Sequence, residues 1–376
     1  MSLKEIAKIS REFGSDERYV LAGGGNTSFK DTESLYIKAS GYSLAVIEED
    51  GFVRMEREKL QRIWTTEYPD DVAQRESKAL VDLMDSRAAG EEDKRPSVET
   101  LLHEAIPQTF VVHTHPSLVN GLTCSQEGAA ASSKLFGDSA IWIPLVNPGY
   151  ILAATVRDEL QKYSNTVGGS PDFILLQNHG VFVAADTTGG IRTLYEKLFR
   201  TLDAALVRRP DDGEVRTDTK VVEGLTDRIT EGFKAATPEN PVHTSFQSNN
   251  EVMRIIRDEQ SFIPVSSAYT PDQIVYCGHK PLLVGGAHAI DDVSTLIGGY
   301  LEAEGVLPKL IAITGVGVVG CGRTEKAAEN AALLFGDGAK ISVYAESFGG
   351  HRFMPQDQID FIRGWEVENY RSKIGS

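Results

Sequence analysis

Cysteine is scarce in this sequence: there are three, Cys124, Cys277 and Cys321. They are odd in number, far apart and not spaced as a zinc site, so neither a disulfide framework nor a cysteine metal centre is expected. A reduced, cytoplasmic compartment is the simpler expectation. Positive charge is also short. Lys and Arg number 38 against 54 Asp and Glu, a formal net charge of −16. That argues against general binding to nucleic acid or to an anionic membrane, both of which need basic patches. A phosphorylated ligand stays open, because backbone N–H groups can hold a phosphate locally. No apolar run approaches about 18 residues, so no membrane-spanning helix is expected. The opening residues, MSLKEIAKISREFGSDERYV, are charged and helix-like, without the apolar core of a signal peptide.

What is present is an ordinary globular composition over 376 residues, a soft prior for two domains. Residues 3–13 read as an amphipathic helix, Gly23 to Ser28 as a Gly-rich turn, and LYIKAS and GFVRM as strands. Residues 72–88 have helical spacing. Pro96 and Ser97 open another helix, VETLLHEAI, with Ser97 as N-cap. FVVHTH at 110–115 and FILLQ at 173–177 read as buried strands, and 191–207 as a helix. The polar run 208–220 marks a boundary. The organisation expected is a domain over 1–210, a linker and poorly anchored helix over 211–241, and a smaller α/β domain over 242–376. In the last, the pattern predicts a helix first, strands around 273–284, a helix over 291–304, a strand over 309–314, a helix over 324–335 and a strand over 340–345. Ile359, Ile362, Trp365 and Tyr370 recur at helical spacing in the tail, for packing on a core or on a neighbouring subunit.

Three of the eight histidines carry the strongest chemical signal. His113 and His115 are two apart in an apolar strand, where alternation points both imidazoles the same way. His179 ends another apolar strand, in LLQNHG. A lone histidine is more often a satisfied core or turn residue. Two imidazoles on one buried face are costly unless they share a partner. Three protein ligands with one open position is the pattern of a catalytic zinc, and the pattern also suits other divalent metals. Glu99, in RPSVETLLHEAIP, is expected in the first helical turn, where the helix dipole alone would favour a carboxylate. His103 lies four residues on, on the same face, as a fourth contact or a packed neighbour. Gly23–Ser28, Ser40-Gly41 and Ser97 are three small turns, each weak alone. Together with the histidines they suggest a phosphorylated ligand.

Taken together, GGGNTSFK, IKASG, RPSVETLLHEAIP, FVVHTHP and ILLQNHGVFVA resemble the class II (zinc-dependent) aldolases of the fuculose- and rhamnulose-1-phosphate type, in the family's order. The wording GSDERYVLAGGGNTSFKD is most similar to the aldolase part of bifunctional rhamnulose-1-phosphate aldolase/lactaldehyde dehydrogenase proteins. The resemblance implies an α/β/α layered domain with a central, mainly antiparallel sheet. It implies zinc on His113, His115 and His179, Glu99 as catalytic acid/base, and Asn26, Thr27, Ser40, Gly41 and Ser97 around a substrate phosphate. His103 and Asn178 would stand behind the ligands. The implied activity is cleavage of a ketose 1-phosphate to dihydroxyacetone phosphate and an aldehyde, in a cytoplasmic homo-oligomer, a tetramer being favoured. Epimerases, dehydratases and metal-free adducins share the family, so sugar-phosphate epimerase or dehydratase activity, and a non-catalytic binding module, are the alternatives. Where the small aldolases carry paired serines before the glutamate, this chain has Ser97 and Val98. Nothing here resembles the dehydrogenase part, so its oxidising reaction is not carried over.

Gly315, Gly317 and Gly320 in ITGVGVVGCG follow a strand in the spacing of a dinucleotide fingerprint, which sustains an NAD-binding oxidoreductase as a further alternative. The residues after Gly317 read as a second strand, however, which leaves a phosphate without a helix N-terminus. Internal comparison gives a sharper reading. FILLQNHGVFVAADT and LIAITGVGVVGCGRT align at an offset of 137 residues (310 − 173), with Gly149 opposite Gly286 and His179 opposite Val316. The second domain is therefore expected to be a degenerate, metal-free copy of part of the first.

Overall fold

Each element follows from where its apolar residues fall. The computed structural model describes residues 2–239, 241–285 and 292–365. In the first part, α1 (Leu3–Gly14) is followed by β1 (Asn26–Lys30), β2 (Ser34–Lys38), β3 (Phe52–Glu56), α2 (Arg57–Ile63), α3 (Val72–Asp85), α4 (Thr100–Ala105), β4 (Phe110–Thr114), α5 (Ser117–Thr123), α6 (Gly128–Phe136), β5 (Ala140–Ile143), α7 (Tyr150–Thr166), β6 (Phe173–Leu176), β7 (Gly180–Ala185) and α8 (Thr188–Ala205). α1 starts on a capping box, Ser2 with Glu5, and buries Ile6, Ile9 and Phe13 along one stripe. The strands form one sheet in the order β3-β2-β1-β4-β7-β6-β5, antiparallel throughout except for β5 beside β6. On one face Leu83 of α3, Leu101 and Leu102 of α4, and Val156 and Leu160 of α7 pack on Leu35, Ile37, Val111, Ile174 and Phe182 of the strands. α1 and α8 cover the other face, burying Phe13, Tyr195 and Leu198. This is the layered α/β/α domain with a mainly antiparallel sheet that the resemblance implied.

The later part contains α9 (Thr219–Ala236), β8 (His243–Gln247), α10 (Asn250–Ile255), α11 (Glu259–Phe262), β9 (Leu282–Val284), α12 (Val293–Glu304), β10 (Leu310–Ile313), β11 (Gly317–Gly322), α13 (Glu325–Ala345) and α14 (Gln356–Gly364). By backbone contacts the chain divides into two compact units. One holds the residues up to Val119 with Glu127–Ala205, the other Asn120–Gln126 with the chain from Leu206 on. α9, read from sequence as part of a linker, is a core helix of the second unit: Leu225, Ile229 and Phe233 pack with Ile297, Ile311 and Val319.

Several expectations are corrected. Residues 26–28 belong to β1, and the Gly-rich turn is confined to Leu21–Gly25. Ser97 is not the N-cap; a turn from Ser97 to Thr100 delays α4, and Glu99 is the residue before it. Residues 243–247 are a strand where a helix was expected. Residues 273–277 form a single π-helical turn, not a strand. Residues 340–345 continue α13. Ile341 and Val343 look strand-like in isolation, but both are fully buried in a helix that reaches the sheet closely because Gly320 has no Cβ. A Cβ at Gly320 would overlap the backbone of Ala328 and stand 2.8 Å from the Ala332 nitrogen. Of the two roles expected for the tail pattern, Ile359 and Ile362 take the first, buried in a core on α14. Tyr370 and Gly286 lie outside the described residues.

The second sheet, β8-β11-β10-β9, repeats the β4-β7-β6-β5 half of the first in order and direction. The register repeats too. Leu176 pairs with Gly180 and Ile313 with Gly317, an offset of 137 residues (313 − 176) for both partners. The turns share their hydrogen bonds: His179 N–H to the Leu176 carbonyl at 3.2 Å, and Val316 N–H to the Ile313 carbonyl at 3.0 Å. Both need a left-handed residue, Asn178 at φ 56° and Gly315 at φ 75°. Gly317 begins a strand, so the three-glycine motif lies in a hairpin, not in the strand-to-helix turn that a dinucleotide needs.

Candidate metal centre

β4 is apolar and fully buried, flanked by β1 and β7. Its partners fix the surroundings of His113, which pairs with Asn26 on one side and Phe182 on the other. The Phe182 ring stacks on the imidazole at 4.0 Å. His113 Nδ1 donates to the Val181 carbonyl at 3.0 Å, which leaves Nε2 as the lone-pair atom facing the site. His115 lies just past the end of β4, and its Nε2 comes to 2.8 Å from His113 Nε2. Gly180 makes room for it, since a Cβ there would stand 2.6 Å from His115 Cδ2. His179 is carried in by the left-handed turn at Asn178, which is itself buried. One ligand atom from each of the three histidines lies within 4.8 Å of the other two.

Glu99 completes the cluster. It is buried, and its Oε1 is 3.4 Å from His113 Nε2 and 3.4 Å from His179 Nε2. That oxygen has no hydrogen-bond partner among the described residues. A buried carboxylate oxygen without a donor, facing several imidazoles, is what a divalent cation would satisfy. Three neutral nitrogen donors with one carboxylate nearby suit zinc or another imidazole-accepting divalent metal. Burial holds the His113 imidazole well below its ordinary pKa, which keeps it in the ligating form. Burial pushes the Glu99 carboxyl up, but His113, His179, His115 and the Asn26 amide outweigh it and hold the carboxyl down at about 2.

Behind Glu99 runs a buried polar chain that the sequence reading did not assemble. Asn26 Nδ2 donates to Glu99 Oε2. Asn26 Oδ1 faces His103 Nε2, and His103 Nδ1 is 2.7 Å from Ser28 Oγ. The available signals were the i, i+2 spacing of Asn26 and Ser28 on one strand and the i, i+4 spacing of Glu99 and His103. Lys30, two further along β1, donates through Nζ to the carbonyls of His103 and Ile106 and so ends α4.

Burial pushes Lys30 down to about 7, against an unfolded value of about 10.4. Between these two values the unfolded chain binds more protons than the folded one, so this residue makes stability rise with pH across that window and stay level below it. Wild-type protein should therefore gain stability relative to Lys30→Met between pH 7 and pH 10, as read by urea denaturation. Parallel pH dependence of the two proteins would contradict this.

The phosphate expectations divide. Ser40 and Gly41 follow β2 beside Pro96: Ala39 bridges to Pro96, and Ser40 Oγ lies 3.4 Å from the Pro96 carbonyl. Ser97 Oγ accepts the Glu99 N–H at 3.2 Å. These turns therefore adjoin Glu99. Asn26 is committed through its side chain to Glu99 and His103. Thr27 is a correction: alternation along β1 turns it to the opposite face, where its hydroxyl meets Ser10 Oγ at 2.6 Å under α1. In the second unit the repeated register sets Phe246 opposite Val319 as His113 is opposite Phe182, and Val316 stands where His179 stands. Phenylalanine and valine cannot ligate, so that counterpart lacks at least two of the three donors.

Comparison with known proteins places these features among relatives. The family described as "Class II Aldolase and Adducin N-terminal domain" matches residues 4–205. The "Uncharacterized oxidoreductase YuxG" of Bacillus subtilis (strain 168) is 22% identical over 415 residues, covering 98% of this chain and 58% of that protein. The chain thus spans little more than half the length of that relative. Among solved structures, the N-terminal class II aldolase domain of a conserved protein from Thermoplasma acidophilum is 28% identical, with TM-score 0.46, covering 54% of this chain and 93% of that one. An L-fuculose-1-phosphate aldolase from Thermus thermophilus is 14% identical, with TM-score 0.34, covering 53% and 92%.

Proposed function

The chain belongs to the class II aldolase and adducin N-terminal domain family, and from that premise we propose that its first unit is a metal-dependent lyase that cleaves a ketose 1-phosphate to dihydroxyacetone phosphate and an aldehyde. The observation that carries the reading is the convergence of His113, His115 and His179 on one point beside Glu99 Oε1, which has no hydrogen-bond partner among the described residues. An adducin-like binding module has no use for such a cluster. The three histidines would hold the cation, zinc being the first candidate. When bound, it would supply Lewis acidity to the substrate's carbonyl and hydroxyl oxygens.

The rest falls to the chain's own groups. Glu99, ionised and held by Asn26, accepts the hydroxyl proton released as the carbon–carbon bond breaks and returns a proton to the carbon that keeps the electron pair. Ser40, Gly41 and Ser97, in adjoining turns next to Glu99, anchor the phosphate through hydroxyl and backbone N–H groups. The burial of Glu99 and His113 keeps water from competing for the proton.

Epimerase and dehydratase chemistry would use the same site. The word oxidoreductase in the name of the Bacillus protein belongs to a longer chain, and here the glycines around Gly315 lie in a hairpin between β10 and β11, which does not favour the dinucleotide reading. A homo-oligomer, with a tetramer favoured, and a cytoplasmic location are part of the proposal. No described helix is long and apolar enough to cross a membrane. Sedimentation of a monomer at micromolar concentration would remove the oligomer. The test of the activity is incubation of metal-loaded protein with ketose 1-phosphates. Triose phosphate release, abolished by chelation, supports a lyase. Products that keep the full carbon chain would make the protein an epimerase or dehydratase instead.

A further inference from the structure

The polar chain behind Glu99 has one consistent direction. A carboxylate only accepts hydrogen bonds, so the Asn26 group facing Glu99 Oε2 is the NH2 group. Asn26 Oδ1 then faces His103 Nε2, which must carry the proton. His103 Nδ1 is left as an acceptor, and Ser28 Oγ donates to it at 2.7 Å. Every donor in the series points toward Glu99.

We infer that His103 is a positioning residue for Glu99: it fixes the Asn26 carboxamide with its NH2 group toward Oε2, so that Oε1 is the oxygen presented to the cation and the substrate. His103 is 0% exposed, so water cannot substitute for either of its partners. Burial also holds its imidazole down at about 3, so it is neutral, with one donor and one acceptor. The Phe182 ring, edge-on at 5.3 Å, packs beside it, and Lys30 anchors its carbonyl. Were His103 replaced by an apolar group, Asn26 Oδ1 would be buried without its donor, and the amide would be held only at its Glu99 end. His113 touches the reacting cluster directly; His103 acts only through Asn26.

The inference deepens the lyase reading and rests on it for its kinetic arm, while its spectroscopic arm stands apart from any activity. In protein labelled with 15N-histidine, His103 should show an Nε2–H, Nδ1-bare imidazole near neutral pH, with and without zinc, its signals assigned by their loss in His103→Gln. An Nδ1–H form, or a charged ring, would overturn the inference whatever reaction the protein catalyses. Kinetically, His103→Leu should lower kcat about 10- to 100-fold with KM and zinc content nearly unchanged. His103→Gln, whose amide can donate to Asn26 Oδ1, should recover most of that loss. Equal losses in both variants, or a loss confined to KM, would mean a merely structural histidine and overturn it. The expected tautomer in a protein that cleaves no ketose 1-phosphate would leave the positioning intact and remove the lyase reading instead.

Discussion

Glu99→Gln should keep its cation and its fold and lose cleavage by about 10²- to 10⁴-fold, the usual contribution of a positioned acid or base. Gln is nearly isosteric with Glu and can still accept from Asn26 Nδ2 through its carbonyl oxygen. What it cannot do is take a proton. The side chain is buried, and water has no ready route to act in its place. Elemental analysis and a thermal melt check the first half of the expectation, and single-turnover cleavage the second. Loss of metal together with activity would make Glu99 chiefly a ligand. An unchanged rate would remove it from the mechanism.

His113→Ala should have the other large effect: metal content falling from one ion per chain to none, with cleavage below detection. His113 is the ligand set deepest in the sheet, with Nδ1 tied to Val181 and the ring stacked on Phe182. The two remaining histidines lie outside the regular strands and would leave the cation with two imidazole donors. A cation that binds only the folded state stabilises it in proportion to the logarithm of its concentration over Kd. Added zinc should therefore raise the melting temperature of the wild type and leave that of His113→Ala unchanged. An equal zinc response in both proteins would place the ion elsewhere.

The donors of this site were legible in the sequence because their signals are local. An H-x-H pair in an apolar run and a histidine in a strand-ending NHG turn announce themselves. Glu99 was legible by resemblance, but its place was not: Ser97–Thr100 forms a turn first, so Glu99 is the residue before α4 and not part of its first turn. The chain from Ser28 through His103 and Asn26 was not legible. It exists because β1 pairs with β4 and α4 docks over β1, two tertiary facts that no spacing records. Thr27 was misread for the same reason, since the Gly-rich run becomes a strand after Gly25 and strand alternation turns Thr27 away.

In the second unit, the repeat was legible because strand, turn and strand kept one offset. The apolar, β-branched stretches QIVYC and ISVY were misread as strands. Both are fully or largely buried, and for short buried runs periodicity does not separate helix from strand. Gly336 and Gly338, which look like helix breakers, lie inside α13, where a Cβ would meet Gln247 and Gln273. Packing against those side chains, not local propensity, decides the helix there.

The most direct measurement is anomalous diffraction at the zinc edge from crystals of zinc-loaded protein. The account predicts a strong peak within about 2.0–2.1 Å of one nitrogen from each of His113, His115 and His179, with Glu99 Oε1 beside it and no peak at Val316. A stoichiometric ion bound anywhere else, or the three imidazoles intact with no ion at saturating zinc, would contradict it.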